Sequence, residues 1–99
     1  MTAETILQDI EQNASRLKHY GVKQIGLFGS IARNEQHEES DIDLVVEFEA
    51  GQKTFDHYMD LKFYLEDLLH HGVDLVIADA IKQRLRPSIL RDVRYAAGL

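Results

Sequence analysis

Hydrophobic residues follow two spacings along the chain, and these spacings predict helices and strands. Apolar positions three and four residues apart are typical of an amphipathic helix, whereas alternation at every second residue is typical of a strand with one buried face. On this basis we predict helices over residues 2–20, 54–71 and 80–97, and strands over residues 22–28, 41–48 and 73–78. The order α-β-β-α-β-α indicates an α/β (α+β) domain, in which helices pack on a small mixed sheet.

Single residues set the predicted ends of these elements. Gly21 and Gly72 are placed to end the first two helices, and Thr54 is placed to cap the start of the second. Pro87 interrupts the last helical region and fits the first turn of a final helix. A short helical turn is expected from Ser30, followed by a polar loop. The side chains expected to be buried on the second and final helices are Phe55, Tyr58, Leu61, Leu65, Leu68, Leu69, Ile89, Leu90 and Val93.

Length and composition restrict the class of protein. With 99 residues, of which 44% are hydrophobic, the chain is expected to form one globular domain over residues 1–99. No apolar run is long enough to span a membrane, and the N-terminus lacks the basic and apolar parts of a signal peptide, so we expect a cytoplasmic protein. The absence of cysteine excludes disulfides and thiolate zinc sites.

The charged residues are unevenly distributed. The formal net charge of −6 disfavours long-range attraction to nucleic acid, so direct DNA binding is not expected. An acidic centre needs a cation or a basic partner, whereas the basic C-terminal part can bind phosphate, pair with that centre or be solvated. The acidic residues of the centre are Glu35, Glu38, Glu39, Asp41, Asp43, Glu47 and Glu49, and the basic residues of the C-terminal part are Lys82, Arg84, Arg86, Arg91 and Arg94.

Two aspartates on the second strand are the strongest candidates for chemistry. Side chains alternate across a strand, so Asp41 and Asp43 share one face, about 7 Å apart. Two carboxylates held in this way can coordinate a hard divalent cation, and such a cation can in turn bind a polyphosphate. Like charges on one face of an apolar strand cost stability, and such conflicts are expected mainly at functional sites. Gly29 lets the backbone approach a phosphate, and the residues from Ser30 can open a helix whose amides attract anions.

These residues resemble a known signature. The sequences Gly-Ser-Ile-Ala-Arg at residues 29–33 and Ser-Asp-Ile-Asp-Leu at residues 40–44 resemble the Gly-Ser and Asp-x-Asp signature of the DNA polymerase β-like nucleotidyltransferase superfamily. The short chain and Gly-Val-Asp-Leu-Val at residues 72–76 resemble its minimal nucleotidyltransferase (MNT) branch. Members of that branch are typically antitoxins paired with HEPN-domain RNase toxins. The resemblance covers residues 22–77 and implies the polymerase β-like nucleotidyltransferase fold.

The resemblance also implies a role for each residue of the signature. Gly29 and Ser30 would bind the nucleotide phosphates, and Asp41 and Asp43 would coordinate the two Mg²⁺ ions that bridge them. Asp74 would be the third carboxylate, which completes the second metal site and helps to deprotonate the attacking hydroxyl. The alternative for Asp74 is a structural role, in which its side chain caps a turn at the start of the strand.

Two further nucleotide-site candidates each allow two interpretations. Arg33 either contacts phosphate or anchors its loop to an acidic residue. Ser40 either caps the loop before the strand or orients Asp43. The sequence departs from the family pattern at Asn34, where a glycine often follows the arginine. This departure affects the expected shape of the loop but not the carboxylates.

For the minimal branch, the implied activity is transfer of AMP from ATP to a tyrosine hydroxyl of a cognate HEPN toxin. Such an Mg²⁺-dependent protein adenylyltransferase would neutralise the toxin and form a hetero-oligomer with it. Larger relatives bind small-molecule acceptors with an additional domain, for which this chain has no room, so the partner is expected to supply the acceptor site. Two alternatives stay open: a non-catalytic antitoxin that masks its toxin, and a nucleotidyltransferase acting on RNA ends or on a small-molecule hydroxyl.

Overall fold

The computed structural model describes residues 2–35 and 41–99 of the chain. In chain order its elements are α1 (Ala3–Gln12), α2 (Ala14–His19), β1 (Val22–Phe28), α3 (Gly29–Ala32), β2 (Ile42–Phe48), α4 (Phe55–Leu69), β3 (Val73–Ile77), a 3₁₀ turn (Ala78–Ala80), α5 (Arg86–Leu90) and β4 (Arg94–Tyr95). The three strands anticipated from alternation are all present. None of the helices in the described residues is long and apolar enough to cross a membrane.

The strands form a mixed four-stranded sheet in the order β3-β2-β1-β4. β1 is antiparallel to both β2 and β4, whereas β2 and β3 are parallel. The α/β class with a small mixed sheet is therefore confirmed. The register places Phe28 beside Asp43 and Asp43 beside Asp74, so the end of β1 and the starts of β2 and β3 meet at one end of the sheet.

The hydrophobic core lies on one face of this sheet. Alternate residues of β2 point into it, since Ile42, Leu44 and Val46 are fully buried. α1, α2 and α4 supply the other side of the same cluster through Ile6, Ile10, Leu17, Leu61 and Leu65. The intervening residues of β2 point to the opposite face. Asp43 is one of them, so the fold of the core directs this carboxylate away from the helices.

The predicted N-terminal helix over residues 2–20 is in fact two helices. Thr2 caps α1 with a capping box, and Asn13 separates α1 from α2. The Asn13 side-chain amide donates a hydrogen bond to the carbonyl of Asp9 (Nδ2–O, 2.8 Å). Asparagine disfavours helix interiors because its side chain competes for backbone groups in this way, which accounts for the break.

The helix predicted over residues 54–71 is α4, and it begins where its cap was predicted. The Thr54 hydroxyl accepts a hydrogen bond from the backbone N–H of His57. The expected burial of Phe55 is wrong: its side chain is 77% exposed. Phe55 lies in the first turn of α4 and lines a surface pocket together with Ile77 at the end of β3. The helix ends at Leu69, and His70 takes the left-handed conformation (φ 53°) before Gly72 is reached. Of the other predicted core residues of this helix, Leu61 and Leu65 are buried, and Tyr58, Leu68 and Leu69 are half-buried.

The predicted helix over residues 80–97 is mostly wrong. Pro87 does lie in the first turn of α5, but the helix ends at Leu90 and the chain then forms β4. β4 satisfies backbone groups at the free edge of β1, as does the Ala96 amide, which donates to the carbonyl of Ile25 (3.0 Å). A strand of two residues is too short to show alternation, so no sequence pattern marks it. Val93 packs over Gly26 on the sheet face opposite the core rather than on a helix.

Candidate active site

Three aspartates converge at the end of the sheet where β2 and β3 begin. Asp43 and Asp74 are register partners in the parallel pair, so their side chains share one face of adjacent strands about 4.8 Å apart. Asp41 precedes β2, and its carboxylate packs against the backbone of Gly72: a Cβ at Gly72 would lie 2.6 Å from Asp41 Oδ1. The two acids of the Asp-x-Asp motif are therefore brought together with Asp74, as a three-part site requires.

The carboxyl groups at this site affect one another electrostatically. Partial burial of Asp43, the charges of Asp74 and Asp41, and a hydrogen bond with Asp74 all raise the pKa of Asp43. The guanidinium of Arg33 opposes this shift and lowers the pKa of Asp43. Asp41 and Asp74 are exposed, whereas Asp43 is half-buried. A divalent cation would relieve the repulsion that these groups exert in its absence.

Gly29 lies directly against the carboxylate of Asp43. Its φ of 77° is in the left-handed region, and a Cβ at this position would collide with Asp43 Oδ2. Glycine is therefore needed here both for backbone conformation and for space. Ser30 follows Gly29 in the four-residue helix α3 and is half-exposed. The turn after β1 thus brings the backbone of Gly29 next to the Asp43 carboxylate.

Arg33 forms two ion pairs in this structure. Its Nε lies 3.3 Å from Glu35 Oε2, and its Nη1 lies 3.6 Å from Asp92 Oδ2. Anchoring of the loop to acidic residues is thus visible, and a contact with phosphate stays a prediction. Asp92 lies in the C-terminal part of the chain, where no sequence pattern indicates a role in the site.

Asn34 takes the conformation that a glycine at this position would adopt. Its φ is 57°, and it ends α3 with two backbone hydrogen bonds: Asn34 N to Ile31 O (3.0 Å) and Glu35 N to Ser30 O (2.8 Å). This is the Schellman arrangement, in which asparagine is the usual substitute for glycine. The departure from the family pattern therefore preserves the loop end. Ser40 lies outside the described residues, and its role stays a prediction.

The donor set fits magnesium bound together with a nucleotide. Within residues 2–35 and 41–99, no three histidine, aspartate or glutamate side chains are arranged closely enough to hold a metal ion by themselves. Mg²⁺ is ordinarily held by one or two carboxylates, with substrate phosphates and water as the other ligands. Asp43 and Asp74 on adjacent strands, with Asp41 beside them, provide carboxylates of this kind. The remaining ligands would come from the triphosphate.

Two residues of the site were missed in the sequence. Gly72 admits the Asp41 carboxylate; the sequence marked it as a helix stop and as part of the Gly-Val-Asp-Leu-Val motif, but gave it no role in the site. Asp92 pairs with Arg33 across 59 positions of sequence, which no local pattern reveals.

The sheet is mixed, a glycine-serine turn follows its first strand, and aspartates lie at the starts of the next two strands. This combination is typical of a nucleotide-transferring enzyme of the polymerase β type. Residues 6–96 match the model of the family described as the nucleotidyltransferase domain, and the chain belongs to this family. Within this family the chain is of the minimal nucleotidyltransferase type. A solved structure described as a minimal nucleotidyltransferase covers 95% of both chains at 38% identity, with a TM-score of 0.82.

Two further proteins are similar to this chain. Protein adenylyltransferase MntA of Thermococcus cleftensis is 36% identical over 96 residues, which cover 96% of each chain. A crystal structure of a toxin-antitoxin with AMP-PNP is 26% identical, covers 90% of this chain and 73% of the matched chain, and has a TM-score of 0.70. The protein is therefore a nucleotidyltransferase, and the question that follows is which nucleotide it transfers and to what.

Proposed function

We propose that this nucleotidyltransferase transfers AMP from ATP to a tyrosine hydroxyl of a cognate HEPN toxin and thereby neutralises the toxin. The observation that carries the proposal is the register pairing of Asp43 with Asp74, directly against Gly29. Similarity to a protein adenylyltransferase supports a protein acceptor, and similarity to a toxin-antitoxin with AMP-PNP supports ATP as the donor. The HEPN class of the partner follows from the resemblance to the minimal branch.

In this proposal each site residue has a defined task. Gly29 allows the triphosphate to approach the backbone, and Ser30 donates hydrogen bonds to its oxygens. Asp41, Asp43 and Asp74 would hold two Mg²⁺ ions, which would neutralise charge at the phosphates. Arg33 contacts the triphosphate while Asp92 and Glu35 hold its guanidinium in place.

The reaction is a displacement at the α-phosphorus of ATP. The acceptor oxygen forms a bond to this phosphorus, the bond from phosphorus to the bridging oxygen breaks, and pyrophosphate leaves. Asp74, at the exposed side of the cluster, takes the proton of the attacking hydroxyl.

Labelled ATP offered with the co-expressed partner tests the proposal. Label on the α-phosphate should appear on the partner, whereas label on the γ-phosphate should not. The double variant Asp41→Asn with Asp43→Asn should abolish both the added mass and neutralisation of the toxin. If neutralisation survives intact with no added mass, the protein is a non-catalytic antitoxin. If RNA or a small alcohol is labelled instead of the partner, the acceptor is of another class.

A further inference from the structure

The turn between α4 and β3 is held by one residue of α4. The backbone carbonyl of Glu66 accepts hydrogen bonds from the amides of His70, where the helix ends, and His71 (3.3 Å). Its side chain reaches further along the chain, because Glu66 Oε2 accepts a hydrogen bond from the backbone N–H of Val73 (3.1 Å). Val73 is the first residue of β3 and directly precedes Asp74. Glu66 therefore contacts both ends of the turn that leads into the active site.

The amide that Glu66 binds faces away from β2. Ile42 is the register partner of Val73, yet its own amide donates to the carbonyl of the preceding residue, Gly72 (3.0 Å). In this parallel pairing the N–H of Val73 points to the outer edge of the sheet. Among the residues that the structure describes, β3 has a neighbouring strand on one side only. The Glu66 carboxylate thus takes the place, at this amide, of the acceptor that a further strand would provide.

Glu66 is fixed in place by the helix that carries it. The adjacent residue, Leu65, is fully buried in the hydrophobic core, and Glu66 itself is half-buried. A hydrogen bond to an ionised carboxylate is also stronger than one to a neutral acceptor. The contact therefore joins the start of β3 firmly to the packed part of α4.

The start of β3 would tend to move away from β2 without such a contact, for two reasons. It is the end of an edge strand, and strand ends open more readily than strand centres. Asp74 also lies opposite Asp43, and ionised carboxyls on adjacent strands repel each other. A hydrogen bond one residue before Asp74 opposes both effects.

We propose that Glu66 is a positioning residue of the active site: its carboxylate holds the start of β3 and thereby keeps Asp74 beside Asp43. The inference rests on the proposed function, in which Asp74 is a metal ligand and takes the proton of the acceptor. It adds a residue to which neither the spacing of the chain nor the family signature assigns a role. Loss of a group that orients metal-binding side chains commonly lowers metal affinity or activity about 10–100-fold.

Removing the Glu66 contact is compared with removing a matched contact. Glu66→Ala deletes the hydrogen bond to Val73. Tyr58→Phe deletes another hydrogen bond from an α4 side chain to β3, which the Tyr58 hydroxyl donates to the carbonyl of Leu75 (2.6 Å), beyond Asp74. Both variants lose one contact between the same helix and the same strand, so a role in stability alone predicts similar effects of the two. Glu66→Gln keeps an acceptor and removes only the charge.

The first measurement is the binding of AMP-PNP as Mg²⁺ is titrated, which needs no acceptor. The Mg²⁺ concentration for half-maximal binding should rise about tenfold or more in Glu66→Ala and stay within about threefold of the native value in Glu66→Gln and Tyr58→Phe. Glu66→Asp, whose carboxylate is one methylene shorter, should show the same loss in a milder form and serves if the alanine variant does not fold.

The second measurement is transfer from labelled ATP to the co-expressed partner at saturating Mg²⁺. In Glu66→Ala the kcat should fall about tenfold or more while the KM for ATP changes less, because the displaced group acts on the attacking hydroxyl. Tyr58→Phe should leave the kcat near the native value, although its melting temperature falls by a similar amount. In an Asp74→Asn background, Glu66→Ala should have no further effect on either measurement.

Three outcomes overturn the proposal. Equal effects of Glu66→Ala and Tyr58→Phe would mean that Glu66 acts through stability alone. A loss in Glu66→Gln as large as in Glu66→Ala would assign the effect to charge rather than to the contact. An effect that is additive with Asp74→Asn would mean that Glu66 acts by a route that does not pass through Asp74.

Binding is scored separately from transfer, so that the two proposals can fail independently. A native chain that transfers no AMP to the co-expressed partner contradicts the proposed function, and the Mg²⁺ dependence of AMP-PNP binding still decides the role of Glu66. Equal labelling of the partner by the native chain and Glu66→Ala, with unchanged Mg²⁺ dependence, contradicts the positioning role alone.

Discussion

Asp43 on β2 lies opposite Asp74 on β3 in the parallel pair, and the pKa of Asp43 is raised by its partial burial and by the charge of Asp74. Neighbouring strands are about 4.8 Å apart, so two ionised carboxyls on one face repel each other at close range. This arrangement lowers the stability of the metal-free fold. Carboxylates on adjacent strands are also of the kind that hold a divalent cation together with a nucleotide, so stability and activity can be separated by substitution.

Replacing Asp74 by asparagine should separate stability from activity. Asp74→Asn removes the repulsion with little change of shape, so the metal-free variant should unfold at the same or a higher temperature than the native chain. AMP transfer should fall about 100-fold or more, because the carboxylate at the attacking hydroxyl is lost. Thermal unfolding in chelator and transfer from labelled ATP are the two measurements. Asp67→Asn, at an exposed position on α4, is the control and should change neither.

Acidification should remove the unfavourable effect of the ionised Asp43 carboxylate on the free energy of unfolding. Its pKa is raised above the reference value of 3.8, so in the intervening pH range the folded state binds a proton that the unfolded state has released. The free energy of unfolding therefore falls as the pH rises through that range, and the full cost is present above the folded-state pKa. In chelator, Asp43→Asn should be more stable than the native chain at neutral pH, and this advantage should shrink as the pH falls towards 3.8.

Glu4 provides a comparison of opposite sign. Hydrogen bonds with its own backbone and with Arg94 lower the pKa of Glu4, so its contribution to stability is present above its unfolded pKa and is lost as the pH falls. Glu4→Gln should therefore be less stable than the native chain at neutral pH, and the deficit should shrink on acidification. A native chain whose unfolding shows the same pH dependence as Asp43→Asn would contradict the assignment of the raised pKa to Asp43.

The parts of the site that follow local rules were predictable from the sequence. Alternation along β2 buries Ile42 and Leu44 and turns Asp43 outward, because both effects depend only on the period of a strand. The place of Asp74 beside Asp43 depends on which strands pair and in which direction, and alternation does not determine this. It was expected from the resemblance to a known signature rather than from the spacing of residues.

Other features depend on contacts that are distant in sequence. Asp92 reaches Arg33 only because the chain crosses the sheet after β3, and β4 is recognisable only once β1 offers it a free edge. Phe55 fits the apolar pattern of its helix, but its side chain lies at the surface. Periodicity identifies the apolar face of a helix, but it does not show which residues of that face the rest of the fold covers.

Gly29 should be intolerant of any side chain, and Gly51 offers a matched control. Both have left-handed φ values, 77° and 79°, but a Cβ at Gly51 meets nothing within 4 Å, whereas one at Gly29 strikes the Asp43 carboxylate. Gly51→Ala should cost about 1–2 kcal/mol of backbone strain and leave transfer intact. Gly29→Ala should cost more than this and abolish transfer. Equal losses of stability, measured by urea unfolding, would show that the carboxylate moves aside without cost.

Asn34 should accept glycine and reject alanine. Its φ of 57° lies in the left-handed region at the end of α3, where glycine has no steric penalty and asparagine a small one. Asn34→Gly should leave the free energy of unfolding within about 0.5 kcal/mol of the native value, whereas Asn34→Ala should lower it by about 1 kcal/mol. Ala97→Gly, at an exposed position near the C-terminus, is the control for the effect of adding a glycine. Equal stability of both Asn34 variants would contradict a left-handed loop end.

The pair formed by Arg33 and Asp92 tests how the C-terminal part of the chain contributes to the site. If Asp92 acts by holding the Arg33 guanidinium, at 3.6 Å, then Asp92→Asn should raise the KM for ATP several-fold and leave kcat nearly unchanged. Arg33→Gln should raise this KM about tenfold or more, since a charge-assisted contact is lost. In the Arg33→Gln background, Asp92→Asn should then have no further effect.

The control for this cycle is Glu47→Gln, which removes the carboxylate of another exposed ion pair, with Lys23 at 3.5 Å, away from the loop that carries Arg33. Exposed ion pairs contribute at most about 1 kcal/mol, so both single variants should fold normally and differ little in melting temperature. A change in the KM for ATP that is additive between Arg33→Gln and Asp92→Asn would mean that Asp92 acts on the nucleotide by a route that does not pass through Arg33. An unchanged KM in Arg33→Gln would restrict that arginine to anchoring its own loop, in which case the Asp92 pair serves only to join the C-terminal segment to the sheet.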